Sequence, residues 1–555
     1  MNKKPHIFGK KIPPKLYFFL RWFGLPLVIY FIAFTLFTWP WLPNFSDYLL
    51  TDKGDGLQNV WNIWWIHESV INLQQLPWHT NMLHHPFGVT LIGQTLNPFN
   101  GFVALGLMQF MPLNQAFNTM VIFSFVVGGI TAFWLCYYFS KSYFASIIGG
   151  AVFTFSSYHF AHAQGHMQLI SLEWIPLFVL MWWMFVKKPS YWLAVGSSIS
   201  LFLVLFCDYY YFLYCLMTAL AIVVYFWLKK QLPSLKKAKT LKPLGLFFLT
   251  SLIVVAPLPL ALLYANATTE FSGSHPARVF STDVLSPFIP GGFWMFHELT
   301  EWYWSLLPAN IYEASIYLGW SVIIVLIISL VKRKKYTGDL VFWQLLILGF
   351  GVLSLGPRLM IFGKTIEQLP MPYVIMERII PGMKLSGMPI RMMVMVTLGS
   401  AVIVAIVLAK IKLDTTKGRL LVGLFIVVFA VEMLPRALPL TNIKYPDYIS
   451  KLKSLPATGG VLDEAATSEP LQLYYQTHHN KPMAFGYISR KPNHLNDKEF
   501  PLYAYNAENK FDKFCSEFKV RYLTAPISKP RNTTFPIVYK DNQAIIYDLK
   551  NSPAC

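Results

Sequence analysis

Charge is scarce in this chain: Asp, Glu, Lys and Arg make up 13% of its 555 residues, against 55% hydrophobic and 17% aromatic. So low a charged fraction, beside long apolar runs, excludes an ordinary soluble globular protein and leaves a polytopic membrane protein. Acids are scarcer still, 27 against 46 Lys and Arg, for a net charge of +19. The basic residues sit in short clumps between apolar runs, the pattern of a topology signal, which sets nucleic acid aside. Cysteine is limited to five. Cys136, Cys207 and Cys215 fall in or beside apolar runs, where a buried inert thiol is the default. Cys515 and Cys555 fall late in the chain, where a disulfide is open if that region faces an oxidising compartment. Neither an internal repeat nor a low-complexity tract is present, which excludes a repeat architecture.

Apolar runs of roughly 17 to 25 residues, the length that crosses a ~30 Å hydrocarbon core, stand near 23–43, 114–139, 142–158, 167–186, 190–206, 209–228, 243–264, 315–331, 339–360, 389–409 and 420–437. They predict about eleven transmembrane helices. The segment from Pro98 to Met111 is short and breaks the charge pattern if counted, so it is expected to be re-entrant or interfacial. With a cytoplasmic N-terminus, the cytoplasmic segments hold 23 basic residues and the opposite loops seven, the C-terminal region aside. That asymmetry follows the positive-inside rule. It places the protein in the inner (cytoplasmic) membrane with its N-terminus inside, its first span a retained anchor and everything after about residue 438 outside.

The fold expected is therefore an all-α polytopic membrane domain over residues 1–437, followed by a small extracytoplasmic α/β domain over 438–555. In the second part charge density rises and short strand-like runs appear. Gly460-Val461-Leu462 and Val520–Thr524 predict strands, Leu471–Thr477 a helix, and Phe535–Tyr539 with Ala544–Tyr547 a hairpin turning at Asp541-Asn542.

Chemistry concentrates in the first outer loop, Thr51-Asp52-Lys53-Gly54-Asp55-Gly56. Interleaved glycines let the backbone turn sharply and bring both carboxylates toward one point. Behind them Leu57, Val60, Trp61, Trp64 and Trp65 recur at helical spacing beside Gln58, Asn59 and Asn62, which predicts an amphipathic helix in the interface with its tryptophans at headgroup level.

This acidic loop, the helix behind it, about a dozen spans and a C-terminal soluble domain together resemble the GT-C superfamily of integral-membrane glycosyltransferases. The likeness is nearest to poorly characterised bacterial members with a Gly-Asp-Gly-like first loop. It extends to His85-Pro86-Phe87-Gly88 through Gln94-Thr95-Leu96-Asn97-Pro98, to Ser156–His166, to Pro381–Arg391 and to Tyr474–Arg490. The resemblance implies transfer of a sugar from a polyprenyl-phosphate donor to an extracytoplasmic glycan, lipid or protein acceptor. A carboxylate of the first loop would be the general base, within hydrogen-bond reach of the acceptor proton. Asp55, flanked by two glycines, is favoured; Asp52 is left open between orienting the acceptor, binding a divalent cation and no role. No cofactor beyond such a cation is implied. The alternative of a different class is a non-catalytic transporter or scaffold for envelope glycolipid assembly.

A phosphate leaving group calls for cations on the outer face. Arg358, Lys364, Arg378, Lys384 and Arg391 are five of the seven outer basic residues and cluster around one loop. Arg391, just inside a span, is the hardest to explain otherwise, and an Arg fork suits phosphate. His159, His162 and His166 would share one face if helical, as candidate substrate contacts. Glu173, an ionisable group early in a span, marks a cavity rather than lipid. Trp64 joins the candidate substrate contacts. Two weaker features are Phe271–Trp304, a Pro- and aromatic-rich segment expected as a lid, and the Tyr474, Tyr475, His478 and His479 group, which would present rings to a glycan or simply pack.

Overall fold

The computed structural model describes residues 6–7, 10–11, 13–271, 275–336, 339–380, 383, 387–553 and 555. Every apolar run expected to span carries a helix, and the protein is a multi-pass membrane protein. Five helical segments among the described residues are long and apolar enough to cross a bilayer: Pro14–Phe37, Leu113–Ser140, Met167–Lys187, Tyr209–Leu228 and Pro389–Leu408. A pair of helices, Ala238–Val254 and Pro257–Thr268, is apolar enough when taken together and is bent by 49° at the break between them. Proline has no amide hydrogen to continue the ladder, so the chain turns at Pro257. Tyr143–Thr154, Tyr191–Cys207, Trp320–Val331 and Leu340–Ser354 are apolar but shorter.

The helices are layered by burial. The apolar window of Pro14–Phe37 is 17% buried and faces outward, whereas that of Pro389–Leu408 is wholly enclosed by its neighbours. Small residues set the spacing at the core. A Cβ at Gly129 would lie 2.7 Å from the Tyr30 ring and one at Gly150 2.1 Å from its hydroxyl, which donates to the Ile147 carbonyl at 3.0 Å. The Pro98–Leu107 segment is a ten-residue helix, about 15 Å long and too short to cross. Asn97 caps it, its side chain accepting from the Asn100 amide at 3.2 Å.

The helix behind the acidic loop runs from Asp55 to His67. Its predicted interfacial setting needs correction: every residue from Gly56 to Ile66 is buried. Its polar residues bond to other segments of the chain, and Gln58 and Asn59 line a cavity. Asn59 donates to the Gly165 carbonyl at 2.8 Å, Asn62 to that of Thr95 at 2.9 Å, and the Trp61 indole to Gln476 Oε1 at 2.7 Å. Trp64 therefore packs, tilted, against Trp61 and Trp65 in the protein interior.

Beyond residue 438 the chain forms a four-stranded sheet from β1 (Gly460–Asp463), β2 (Val520–Pro526), β3 (Ile537–Lys540) and β4 (Ala544–Asp548), in the order β3-β4-β2-β1. β1 and β2 are parallel and the other pairs antiparallel. Asp541 makes the hairpin by accepting from the Gln543 and Ala544 amides, both at 2.7 Å. Cys515 and Cys555 are joined as a disulfide. This region is tied to the first loop: Tyr48–Leu49 pairs with Thr441–Asn442, and Thr441 Oγ1 donates to the Thr51 carbonyl at 2.8 Å.

Candidate active site

The acidic loop is held against the turn that follows Ser157–His162. Asp52 N and Thr51 Oγ1 both donate to the Gln164 carbonyl, at 2.6 and 3.0 Å. Gly165 allows the approach, since a Cβ there would sit 2.9 Å from the Asp52 carboxylate. Asp52 itself faces inward on the loop. Its Oδ1 accepts from the amides of Gly54 and Gly56, each at 3.0 Å, and its Oδ2 from the Tyr312 hydroxyl at 3.0 Å. The loop is thereby folded into the first turn of the helix, with Asp55 as its first residue, where the positive end of the helix dipole favours an acid.

Asp55 opens onto a cavity of about 470 Å³. Its Oδ1 accepts from the Tyr487 hydroxyl at 2.8 Å and its Oδ2 meets His166 Nε2 at 3.1 Å. Burial alone would raise the Asp55 pKa. The hydrogen bond and charge of His166, the Tyr487 hydroxyl and the charge of Arg391 outweigh it and hold the carboxyl below its ordinary range. Behind His166, His162 Nδ1 lies 3.2 Å from His166 Nδ1. His162 Nε2 in turn lies 3.7 Å from Glu313 Oε2. Glu313 is 1% exposed and receives Arg391 through Nε at 3.1 Å and Nη2 at 2.5 Å. Burial would raise Glu313, but the guanidinium of Arg391 and then His162 draw it down to about 2.

The cavity has two characters. Asp55, His166, Glu313, Arg391, Asp208 and Arg490 are among its polar lining residues, and Leu205, Leu213, Leu262, Leu263, Phe271 and Ile380 among its apolar ones. Asp208 caps the Tyr209–Leu228 helix through the Tyr210 and Tyr211 amides, and burial raises it to about 6. Gln168, 5% exposed, lines the same wall with Oε1 unpartnered.

Of the residues singled out in the sequence, Asp55, His166 and Arg391 meet at this cavity. Arg391 does so as half of an ion pair, with its guanidinium over the Tyr210 ring at 4.8 Å. Asp52 and His162 stand one contact behind the wall. The three histidines do not share a face, because the helix ends at His162. His159 is fully buried, stacked on Phe125, with both ring nitrogens on the Thr154 and Ile170 carbonyls at 2.7 and 2.9 Å. Glu173 is buried away from the cavity, with neither oxygen partnered. Arg358 faces Glu367 at 3.9 Å, Arg378 is exposed on Tyr373–Ile379, and Lys384 lies outside the described residues. Trp64 is in the core. Glu313, Tyr487 and Arg490 were not singled out; Arg490 closed a stretch of resemblance, and Glu313 lay in an outer loop with no motif around it.

A divalent cation does not fit these donors. Asp52 is satisfied by amides and a hydroxyl and Asp55 by an imidazole and a hydroxyl, and no cluster of three or more His, Cys, Asp or Glu among the described residues is arranged to hold a metal.

The likeness expected from the sequence is found at the level of fold, which is similar to that of solved glycosyltransferases. Residues 26–433 match the family described as "Domain of unknown function (DUF6311)", and the chain belongs to that family. Among solved structures the chain is similar to arabinofuranosyltransferase AftD from Mycobacteria, at 12% identity and a TM-score of 0.53, over 96% of this chain and 40% of that one. This chain thus spans well under half the length of AftD. Fainter likenesses are to ArnT from Cupriavidus metallidurans bound to undecaprenyl phosphate (11% identity, TM-score 0.43, 95% of this chain and 98% of that one) and to the oligosaccharyltransferase AglB from Archaeoglobus fulgidus (10%, 0.45, 93% and 70%). No curated protein matches the sequence.

Proposed function

We propose that this protein transfers a sugar from a polyprenyl-phosphate donor to an acceptor hydroxyl at the outer face of the cytoplasmic membrane, with Asp55 as general base. The observation that carries the reading is an ionised Asp55 in the wall of a cavity lined by both charged and apolar side chains. Such a cavity suits a sugar phosphate with a lipid tail. In the step, the acceptor O–H proton passes to the Asp55 carboxylate as the acceptor oxygen bonds to the anomeric carbon. The bond from that carbon to the phosphate oxygen breaks, and its electron pair leaves with the lipid phosphate. Tyr487 and His166 hold the carboxylate in place, and Arg391 and Arg490 bring positive charge to the leaving side. The same reading has about eleven crossings over residues 1–437, a cytoplasmic N-terminus and an extracytoplasmic α/β unit over 438–555.

The test is Asp55→Asn in the full-length protein in membranes, supplied with a panel of radiolabelled polyprenyl-phosphate sugars, reading release of free lipid phosphate. A general base contributes about 10²–10⁴-fold, so a loss of that size with unchanged membrane insertion is expected. Turnover equal to that of the wild type would overturn the assignment.

A further inference from the structure

Several amides in the wall of the cavity are spent on the fold. Asn59 donates to the Gly165 carbonyl at 2.8 Å, and Asn97 donates to Ser171 Oγ at 3.2 Å while its own oxygen caps a helix. Gln94 is bonded at both ends to the Arg490 backbone. Gln168 is not spent in this way: 5% exposed, it lines the same cavity, and its Oε1 meets no hydrogen-bond donor among the described residues. Asp208, 8% exposed and in the same wall, repeats the pattern. Its Oδ1 accepts from the Tyr210 and Tyr211 amides at 2.8 and 3.1 Å, and its Oδ2 receives no hydrogen bond from a described residue. Buried acceptors without donors are costly, and in a cavity wall they mark where the donors of a ligand belong. We propose that Gln168 Oε1 and Asp208 Oδ2 form the subsite that reads the hydroxyls of the donor's sugar, and that they restrict the donor to a neutral sugar.

Their place in the chain sets them beside both reacting partners. Gln168 follows His166 by two residues, and His166 Nε2 meets the Asp55 carboxylate at 3.1 Å. Asp208 precedes Tyr210 by two, and the Arg391 guanidinium lies over the Tyr210 ring at 4.8 Å. The two segments are bonded to each other, because the Tyr211 hydroxyl donates to the Leu169 carbonyl at 2.6 Å. A donor whose anomeric carbon is attacked from the Asp55 end and whose phosphate is drawn to Arg391 therefore sets its sugar ring against Gln168 and Asp208.

Both atoms are acceptors, and that selects the sugar. An amide oxygen and an ionised carboxylate take hydrogen bonds and give none. Burial raises the Asp208 carboxyl to about 6, which leaves it ionised at pH 7.5. A sugar hydroxyl supplies the missing hydrogen. A carboxylate, sulfate or phosphate on the ring supplies none, and it sets a second negative charge against Asp208. The two amide bonds to Oδ1 hold the Asp208 carboxylate in place before any sugar arrives, so little ordering is left to be done on binding.

The subsite rests on the donor being a polyprenyl-phosphate sugar but not on Asp55 being the base, so binding rather than turnover tests it. Full-length protein in lipid nanodiscs is titrated at pH 7.5, without acceptor, with polyprenyl-phosphate pentoses, hexoses and hexuronic acids. Polyprenyl methyl phosphate, which carries the same phosphate charge and no sugar, is the reference. The wild type should bind a neutral sugar donor at least about tenfold more tightly than the methyl ester, which is the size of one buried acceptor satisfied. Gln168→Met keeps the length of the side chain and removes the oxygen. Asp208→Asn keeps a capping oxygen and turns the second acceptor into a donor. Each should cut the advantage of the sugar by about fivefold or more, while the methyl ester, which reports the fold and the lipid-phosphate contacts, binds as it does to the wild type. An advantage unchanged in both variants would overturn the subsite, and so would tightest binding of a hexuronic acid by the wild type. Equal binding of sugar donors and methyl ester would overturn the subsite alone, whereas no binding of any polyprenyl phosphate would overturn the donor reading with it.

Discussion

Asp52 and Asp55 stand in one short loop, yet their oxygens meet different partners, and that difference separates their roles. Asp52 spends both oxygens on the fold, on the Gly54 and Gly56 amides and Tyr312, whereas Asp55 shares its oxygens with Tyr487 and His166 at the cavity wall. The sequence showed that both could converge and favoured Asp55 on its flanking glycines, but not what either would contact. Glu313 had no such signal, because its importance comes from contacts with Arg391 and His162, which are remote in sequence. Its ion pair makes a prediction. The folded carboxyl is drawn down to about 2, below an unfolded value of about 4.3. A depressed pKa contributes stability that is present above the unfolded value and is lost as pH falls through the folded one. The unfolding temperature of the detergent-solubilised protein should therefore fall from about pH 4.3 toward 2. That part of the profile should be flattened in the double variant Glu313→Gln with Arg391→Gln. Arg391→Gln alone should be the worse variant, by about 3–5 kcal/mol, since it leaves a buried carboxylate unpaired. Equal melting of wild type and Arg391→Gln at neutral pH would contradict the pairing.

At the scale of elements, the helical spacing after Gly56 located Asp55–His67 but misjudged its setting. Periodicity reports which side of a helix is apolar, not what covers the other side. Here the polar residues Asn59 and Asn62 are capped by the Gly165 and Thr95 carbonyls, and Gln476 reaches in from the Glu469–His479 helix. These partners come from segments distant along the chain, which local pattern cannot pair. The C-terminal strands were easier to read, since each carries a short group of β-branched, aromatic or aliphatic residues, and β1 to β4 overlap the segments expected as strands. Gln476 is one of the buried contacts that join the C-terminal region to the Asp55–His67 helix. It accepts from Trp61 and donates to the Met82 and Lys481 carbonyls at 2.7 and 3.0 Å. Gln476→Leu should destabilise the protein by about 1–3 kcal/mol for each buried group left unpaired. The exposed Lys453→Gln on a neighbouring helix should shift it by less than about 0.5 kcal/mol. Thermal unfolding of the two variants side by side checks this, and similar melting temperatures would mean that the joint is not a structural one.

For the whole molecule, burial and charge describe two different axes. Burial rises from the outward-facing Pro14–Phe37 to the enclosed Pro389–Leu408, which sets the lateral order of helices but is silent about which end faces the cytoplasm. Charge supplies that second axis, because basic residues resist translocation and the clumps at Lys229–Lys242, Lys332–Lys335 and Lys410–Arg419 fall between alternate apolar runs. Helix length alone qualifies five crossings and one bent pair, and the proposed topology adds the shorter helices on the strength of that alternation. The two axes make a joint prediction, since the proposed base has to lie on the side opposite the basic clumps. Lys53 beside Asp55 and Lys334 in the basic clump are both exposed, and the native cysteines are either buried or joined in a disulfide. Lys53→Cys should therefore react with a membrane-impermeant maleimide on intact spheroplasts, and Lys334→Cys only after lysis. Labelling of Lys53→Cys only after lysis would put the cavity of Asp55 on the cytoplasmic side. An acceptor on the outer face would then be out of its reach.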